Sequence, residues 1–135
     1  MVPVIVFVDT SALFALLVHN DYMHVRARKI FEQCMADEVQ LLSSSYVLVE
    51  TMALLQRRVG MDAVIDFHGR FVPLLDIIWV DGDWHGKAMN RLLALQKREV
   101  SLVDCLSFVI METREISHAY SFDRHFADYG FSLLQ

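Results

Sequence analysis

The chain opens with an apolar run, Met1 to Val8, whose last five residues are β-branched or aromatic and which ends abruptly at Asp9. A short, continuous run of this kind predicts a strand buried on both faces of a parallel sheet, here Val4 to Val8. Apolar positions then recur at helical spacing. Thr10 or Ser11 can cap a helix through Leu17, and a second helix is expected from about Asp21 to Met35 with Val25, Ile30, Phe31 and Cys34 on its apolar face. Val39 to Leu42 reads as a second strand. Ser45 is the expected N-cap of a helix to Arg58 that Gly60 ends, and Met61 to Phe71 reads as another helix, stopped by Pro73.

Asp76 to Val80 is the expected third strand, followed by a helix to about Lys97 capped by Asp81 or Asp83. Ser101 and Asp104 form a Ser-x-x-acid start to a very apolar helix, Leu102 to Met111. His118 to Phe122 and Phe131 to Leu134 complete five short strands. Strands alternating with helices specify an α/β fold, a mainly parallel sheet covered by helices on both faces.

The 135 residues suit one domain, 1–135, with enough chain for a core that needs no disulfide or structural metal. At 55% hydrophobic and a mean hydropathy of +0.35, the chain is more apolar than one small core requires, so some of the surplus is expected to cover a partner surface. No run approaches the roughly 20 apolar residues of a membrane span, and the N-terminal run lacks a basic leader and a cleavage site, which predicts a cytoplasmic protein. Cys34 and Cys105 show no metal or disulfide spacing and are expected reduced, with Cys105 in the core. Met52, Met89 and Met111 are read as core or interface packing. A net charge of −5 argues against a general nucleic-acid coat, while short basic clusters at Arg26, Arg28 and Lys29, at Arg57 and Arg58, and at Lys97 and Arg98 leave room for a local basic rim.

Chemistry enters through acids at strand ends. In an open parallel sheet the ligand site lies beyond the carboxyl ends of the strands, where Asp9 and Asp123 follow predicted strands, Asp104 opens the apolar helix, and Glu50 interrupts the apolar stretch Tyr46 to Leu55. A lone strand-end carboxylate is more often a helix cap. Four that converge need a cation, and an all-oxygen cluster selects a hard ion, Mg²⁺ or Mn²⁺, whose natural chemistry is phosphodiester hydrolysis. The histidines form no ligand-like i, i+4 pair, so His24, His85 and His125 are read as capping or surface residues. A phosphatase built on paired aspartates would need an acid where Ser11 stands, and a receiver-type pocket would need paired acids at the first strand.

Val-Asp-Thr-Ser-Ala-Leu (8–13), Glu50, Ser-Leu-Val-Asp-Cys-Leu-Ser-Phe (101–108) and Ser-Phe-Asp-Arg-His-Phe (121–126) together resemble the motifs of PIN-domain nucleases, particularly VapC-type toxins, in order along the whole chain. Asp21-Tyr-Met-His24 also resembles the segment that opens the family's second helix. The resemblance implies a PIN-like three-layer fold and a metal-dependent ribonuclease. It places Asp9, Glu50, Asp104 and Asp123 around Mg²⁺ or Mn²⁺, with Thr10 or Ser11 and Ser101 hydrogen-bonding nearby. It also implies a homodimer, an RNA substrate, and a small antitoxin protein that plugs the acidic site with Arg or Lys. One departure stands out: many members carry a further acid two residues after the fourth motif Asp, and here His125 occupies that position. The competing reading from another class is a catalytically silent RNA-binding or protein-interaction module on the same fold.

Overall fold

The computed structural model describes residues 3–135; Met1 and Val2, the start of the apolar N-terminal run, lie outside the described residues. Five strands form one sheet in the order β3-β2-β1-β4-β5, with β1 at Ile5–Val8, β2 at Gln40–Ser44, β3 at Asp76–Ile78, β4 at His118–Tyr120 and β5 at Ser132–Leu133. Every pairing is parallel, so the mainly parallel sheet expected from the sequence is wholly parallel among the described residues. The cause is visible in β1, the central strand, where Val6, Phe7 and Val8 are all buried. From β1 the chain crosses first to β2 and β3 on one side, then returns to β4 and β5 on the other. Val8 lies opposite Tyr120, so the chain reversal brings the carboxyl ends of β1 and β4 side by side.

The helices are α1 (Thr10–Leu17), α2 (His24–Ala36), α3 (Ser45–Arg58), α4 (Met61–Asp66), α5 (Gly82–Leu95), α6 (Leu102–Thr113) and α7 (His125–Asp128). Three starts differ from the sequence expectation. Asp9, not Thr10 or Ser11, caps α1; Ser44, the last residue of β2, caps α3 in place of Ser45; and α2 begins at His24, because the Asp21 carboxylate first accepts the Met23 N–H in a tight turn. Asp81 is the α5 cap, its side chain accepting from Trp84 N–H. Helix α4 does not run on to Phe71 as one α-helix. It loosens into a π-helical segment over Phe67–Phe71 and tightens into a 3₁₀ turn over Val72–Leu74, which takes in Pro73 at its start, where a missing N–H leaves no partner unsatisfied. The four-residue α7 was not anticipated.

The core gathers Phe7, Leu106, Phe108, Ile110, Met111, Tyr120 and Phe126, each fully or almost fully buried, and burial of one such side chain is worth roughly 1.5–3 kcal/mol. Phe108 on α6 meets Phe126 on α7 edge-on at 5.1 Å, so the most apolar helix is pinned to the segment that follows β4. Tyr120 donates to the Ala27 carbonyl, tying β4 to α2. Cys34 and Cys105 are buried free thiols, and Cys105 belongs to the core as expected. Met111 packs in the core, while Met52 and Met89 are half-buried. Among the described residues no helix is long and apolar enough to cross a membrane.

Candidate active site

The site is built where β1 and β4 end. The Asp9 N–H donates to the Tyr120 carbonyl at 3.0 Å, which sets Asp9 beside Ser121 at the mouth of the sheet. Asp9 Oδ2 then accepts the Ser11 hydroxyl at 2.8 Å, the Ser121 hydroxyl at 3.0 Å and the Ser11 N–H at 3.3 Å. The same two hydroxyls accept in turn: Ser11 Oγ from Phe122 N–H at 2.9 Å, and Ser121 Oγ from Asp123 N–H at 3.0 Å. One carboxylate thereby orders the loop that carries a second.

Asp104 arrives from α6. Ser101 and Asp104 make the expected capping box, Ser101 Oγ accepting from Asp104 N–H at 3.1 Å and Asp104 Oδ2 accepting from Ser101 N–H at 3.1 Å. Glu50 comes from α3, whose position beside α1 is held by Thr10: its hydroxyl donates to the Val47 carbonyl at 3.5 Å and accepts from the Thr51 hydroxyl at 3.1 Å. The expected supporting residues Thr10, Ser11 and Ser101 thus all bear on the acids, each through a different element.

Electrostatics bind the group together. Burial raises the Asp9 carboxyl from 3.8 to about 6, with the nearby Asp104 charge adding to the rise against the hydrogen bonds of Ser11 and Ser121. Burial likewise raises Asp104, with Asp123 adding to it and the Ser101 N–H opposing it. Glu50 is exposed as a residue, yet its carboxyl is also raised, first by partial burial and further by Asp9 and Asp123, while Thr10 pulls it down. The four acids expected from the sequence therefore feel one another across a single site. Among the described residues no Lys or Arg pairs with them.

Two residues here were not assigned from the sequence. Ser121, which stands first in its motif, is buried and holds both Asp9 and Asp123. His125, read as a capping or surface residue, instead turns its ring into the site, with Nδ1 at 3.1 Å from Asp123 Oδ1 and 3.7 Å from Asp104 Oδ2. One ligand atom each from Asp104, Asp123 and His125 lie within 4.8 Å of one another. A lone histidine after a strand end carries no periodic signal, and only the turn at Asp123 aims it inward. His24 and His85 do stay outside the site: His24 Nδ1 contacts the Ala15 carbonyl at 2.9 Å, and His85 meets the Tyr46 hydroxyl. The oxygen-rich donor set, with a buried polar atom lacking any hydrogen-bond partner at its edge, fits a divalent cation.

Comparison with known proteins finds relatives and solved structures that match along most of the chain. The 23S rRNA-specific endonuclease VapC20 of Mycobacterium tuberculosis is 33% identical over 127 residues, 93% of this chain and 95% of that protein. The crystal structure of VapC20, described as a sarcin-ricin loop cleaving toxin, aligns with a TM-score of 0.81 at 34% identity, over 93% of this chain and 95% of that one. FitAcB from Neisseria gonorrhoeae shares the fold, with a TM-score of 0.68 at 12% identity over 96% of each chain. VapBC2 from Rickettsia felis bound to a promoter DNA fragment does so at 0.66 and 14%, over 96% of this chain and 97% of that one. A family model described as PIN domain matches residues 6–132, a span that takes in all four acids and the crossover that assembles them, and the chain belongs to the PIN domain family.

Proposed function

We propose that the whole chain acts as one nuclease domain, a divalent-metal-dependent endoribonuclease that is the toxin of a toxin–antitoxin pair in the cytoplasm. The observation that carries this reading is the convergence of Asp9, Glu50, Asp104 and Asp123 on the carboxyl ends of β1 and β4, with three of their carboxyls raised by burial and mutual repulsion. Acids strained in this way call for a cation. Asp9, Asp104, Asp123 and Glu50 would hold Mg²⁺ or Mn²⁺. Such an ion, when bound, supplies Lewis acidity that eases deprotonation of water and offsets charge on the scissile phosphate.

The chain's own residues do the rest. Ser11 and Ser121 fix the Asp9 carboxylate, leaving its Oδ1 without a hydrogen bond among the described residues, and Ser101 fixes one oxygen of Asp104. Fixing the donors in advance is what lets them act without reorganising when the phosphate is attacked. Two clefts that share Tyr22, Met23 and Phe122 lie beside the serines and flank the acids without being lined by them. One, of about 300 Å³, is lined by Ser11 and Arg58; the other, of about 230 Å³, by Ser121, Arg26 and Arg124. Arginines there would hold phosphates that the acids themselves repel. The similarity to VapC20 supports a ribosomal RNA stem-loop as substrate, and the fold shared with FitAcB and VapBC2 is in keeping with a small antitoxin partner that presents Arg or Lys to the acids.

The test is RNA cleavage by purified protein with Mg²⁺, with Mn²⁺ and in EDTA, with cleaved ends mapped on total RNA. Asp9→Asn and Asp104→Asn should each lose at least about 100-fold in rate, on the scale of losing a positioned metal ligand. Undiminished cleavage in EDTA, or by both variants, would rule the reading out.

A further inference from the structure

We propose that His125 is a nitrogen ligand of the metal centre and makes it prefer Mn²⁺ over Mg²⁺, an inference that rests on the metal-dependent reading above.

The local chain geometry aims the ring. Asp123 Oδ1 accepts the His125 N–H at 2.9 Å, closing a tight turn that swings the imidazole back over the acids at the first residue of α7. Phe126, the next residue, is fully buried against Phe108, so the turn is locked from behind. The ring is three-quarters buried, and its Nδ1 is wholly so. That nitrogen is the one buried side-chain N or O atom among the described residues with no hydrogen-bond partner. It lies 3.1 Å from Asp123 Oδ1 and 3.7 Å from Asp104 Oδ2 without the angle of a hydrogen bond to either.

A buried polar atom calls for a partner, and two carboxylates stand beside this nitrogen without supplying one. A cation among the three would satisfy the nitrogen and both carboxylates at once. Ligands about 2.0–2.2 Å from one ion lie at most some 4.4 Å apart, so three donor atoms gathered within 4.8 Å can close on a single ion after a shift of a few tenths of an ångström. The chemistry then sets the preference: Mg²⁺ keeps to oxygen ligands and water, while the transition-metal series, of which Mn²⁺ is the weakest binder, accepts an imidazole nitrogen.

The experiment uses untagged full-length protein, as wild type, His125→Ala and His125→Asp. Bound Mn²⁺ is examined by pulsed electron paramagnetic resonance for ¹⁴N modulation from a ligating imidazole, and Mn²⁺ and Mg²⁺ affinities are measured by calorimetry. Wild type should show the modulation and both variants should lack it. His125→Ala should weaken Mn²⁺ binding by about tenfold or more and Mg²⁺ binding by less than about threefold. His125→Asp, which keeps a donor of a different kind, should bring the two affinities closer together. Wild-type protein that binds Mn²⁺ and cuts RNA without ¹⁴N modulation would overturn the histidine assignment and leave the nuclease reading standing, as would modulation that persists in the variants. Protein that binds neither ion would overturn both.

Discussion

At the scale of single residues, Asp9 caps α1 and lies at the centre of the acid cluster, and the two roles pull its protonation in opposite directions. Burial, the larger effect, raises its carboxyl from 3.8 to about 6 despite the serine hydrogen bonds. With a folded-state value above the unfolded one, the folded metal-free protein binds more protons than the unfolded chain between 3.8 and about 6. Asp9 therefore costs stability progressively as pH rises through that window, and the cost is full above it. Asp9→Asn should flatten this slope in melts run in EDTA from acid to neutral pH; parallel curves for the two proteins would show that ionising Asp9 costs the fold nothing. Asp104 carries a similar conflict. Its carboxylate completes the α6 capping box, yet burial, helped by Asp123, raises it against the pull of Ser101, so burial outweighs the cap. Asn keeps an acceptor for the Ser101 N–H and removes the charge, and the metal-free Asp104→Asn protein should melt at the same temperature as wild type or higher. Its gain from Mn²⁺ should fall clearly below the wild-type gain of roughly 2.7 kcal/mol at a free ion concentration about 100 times the dissociation constant. A destabilised variant with an unchanged metal response would mean that Asp104 serves the helix alone.

At the scale of elements, the displaced caps share one cause. Where a strand runs straight into a helix, the extended backbone that an N-cap requires is still strand, so the cap falls on the residue at the strand's end: Asp9 after β1 and Ser44 in β2. Ser44→Ala should cost about 1 kcal/mol in chemical denaturation, because its hydroxyl accepts the Val47 N–H inside the protein. Ser45, the residue favoured by pattern alone, instead accepts the Val80 N–H just beyond β3 at 2.9 Å, and Ser45→Ala should leave α3 capped; an equal loss of helix signal from both would refute the assignment. The same distinction explains what was legible in the sequence. Strands with buried β-branched runs and helices of two or more turns announce themselves by periodicity, Asp9 and Asp123 by their placement after strands, and Glu50 and Asp104 as acids in otherwise apolar helical stretches. The loosening at Phe67–Phe71 keeps the apolar spacing of a helix and so is invisible in the pattern. Helix α7 is too short to show a period, and the roles of Ser121 and His125 depend on a turn whose geometry only the folded β1–β4 pair defines.

At the scale of the whole molecule, the apolar surplus of the sequence is spread over several elements, and one part of it forms a compact group. Val59, Met61 and Ile65 are 54%, 54% and 64% exposed at the junction of α3 and α4, and Met61 and Ile65, four residues apart, share one face of α4. A solvated surface gains nothing from such residues, whereas a second copy of the chain would cover them in a self-complementary contact of the usual two-fold kind. A stable interface needs about 800 Å² from each partner, more than these side chains alone supply, so neighbouring polar residues must form its rim. Light scattering at micromolar concentration should find a dimer for wild type and a monomer for the Met61→Asp, Ile65→Asp double variant. Neither substitution removes a buried contact, so the melting temperature of the dissociated protomer should stay within a few degrees of wild type measured at high dilution. Every acid of the site, together with Ser11, Ser121 and His125, comes from one chain, and the monomeric variant should accordingly bind Mn²⁺ with wild-type affinity. A wild-type monomer would remove the case for the dimer; a double variant that stays dimeric would move the interface elsewhere, to the exposed Trp79 and Leu93; and a monomer that no longer binds the ion would show that pairing shapes the acid cluster across the subunit boundary.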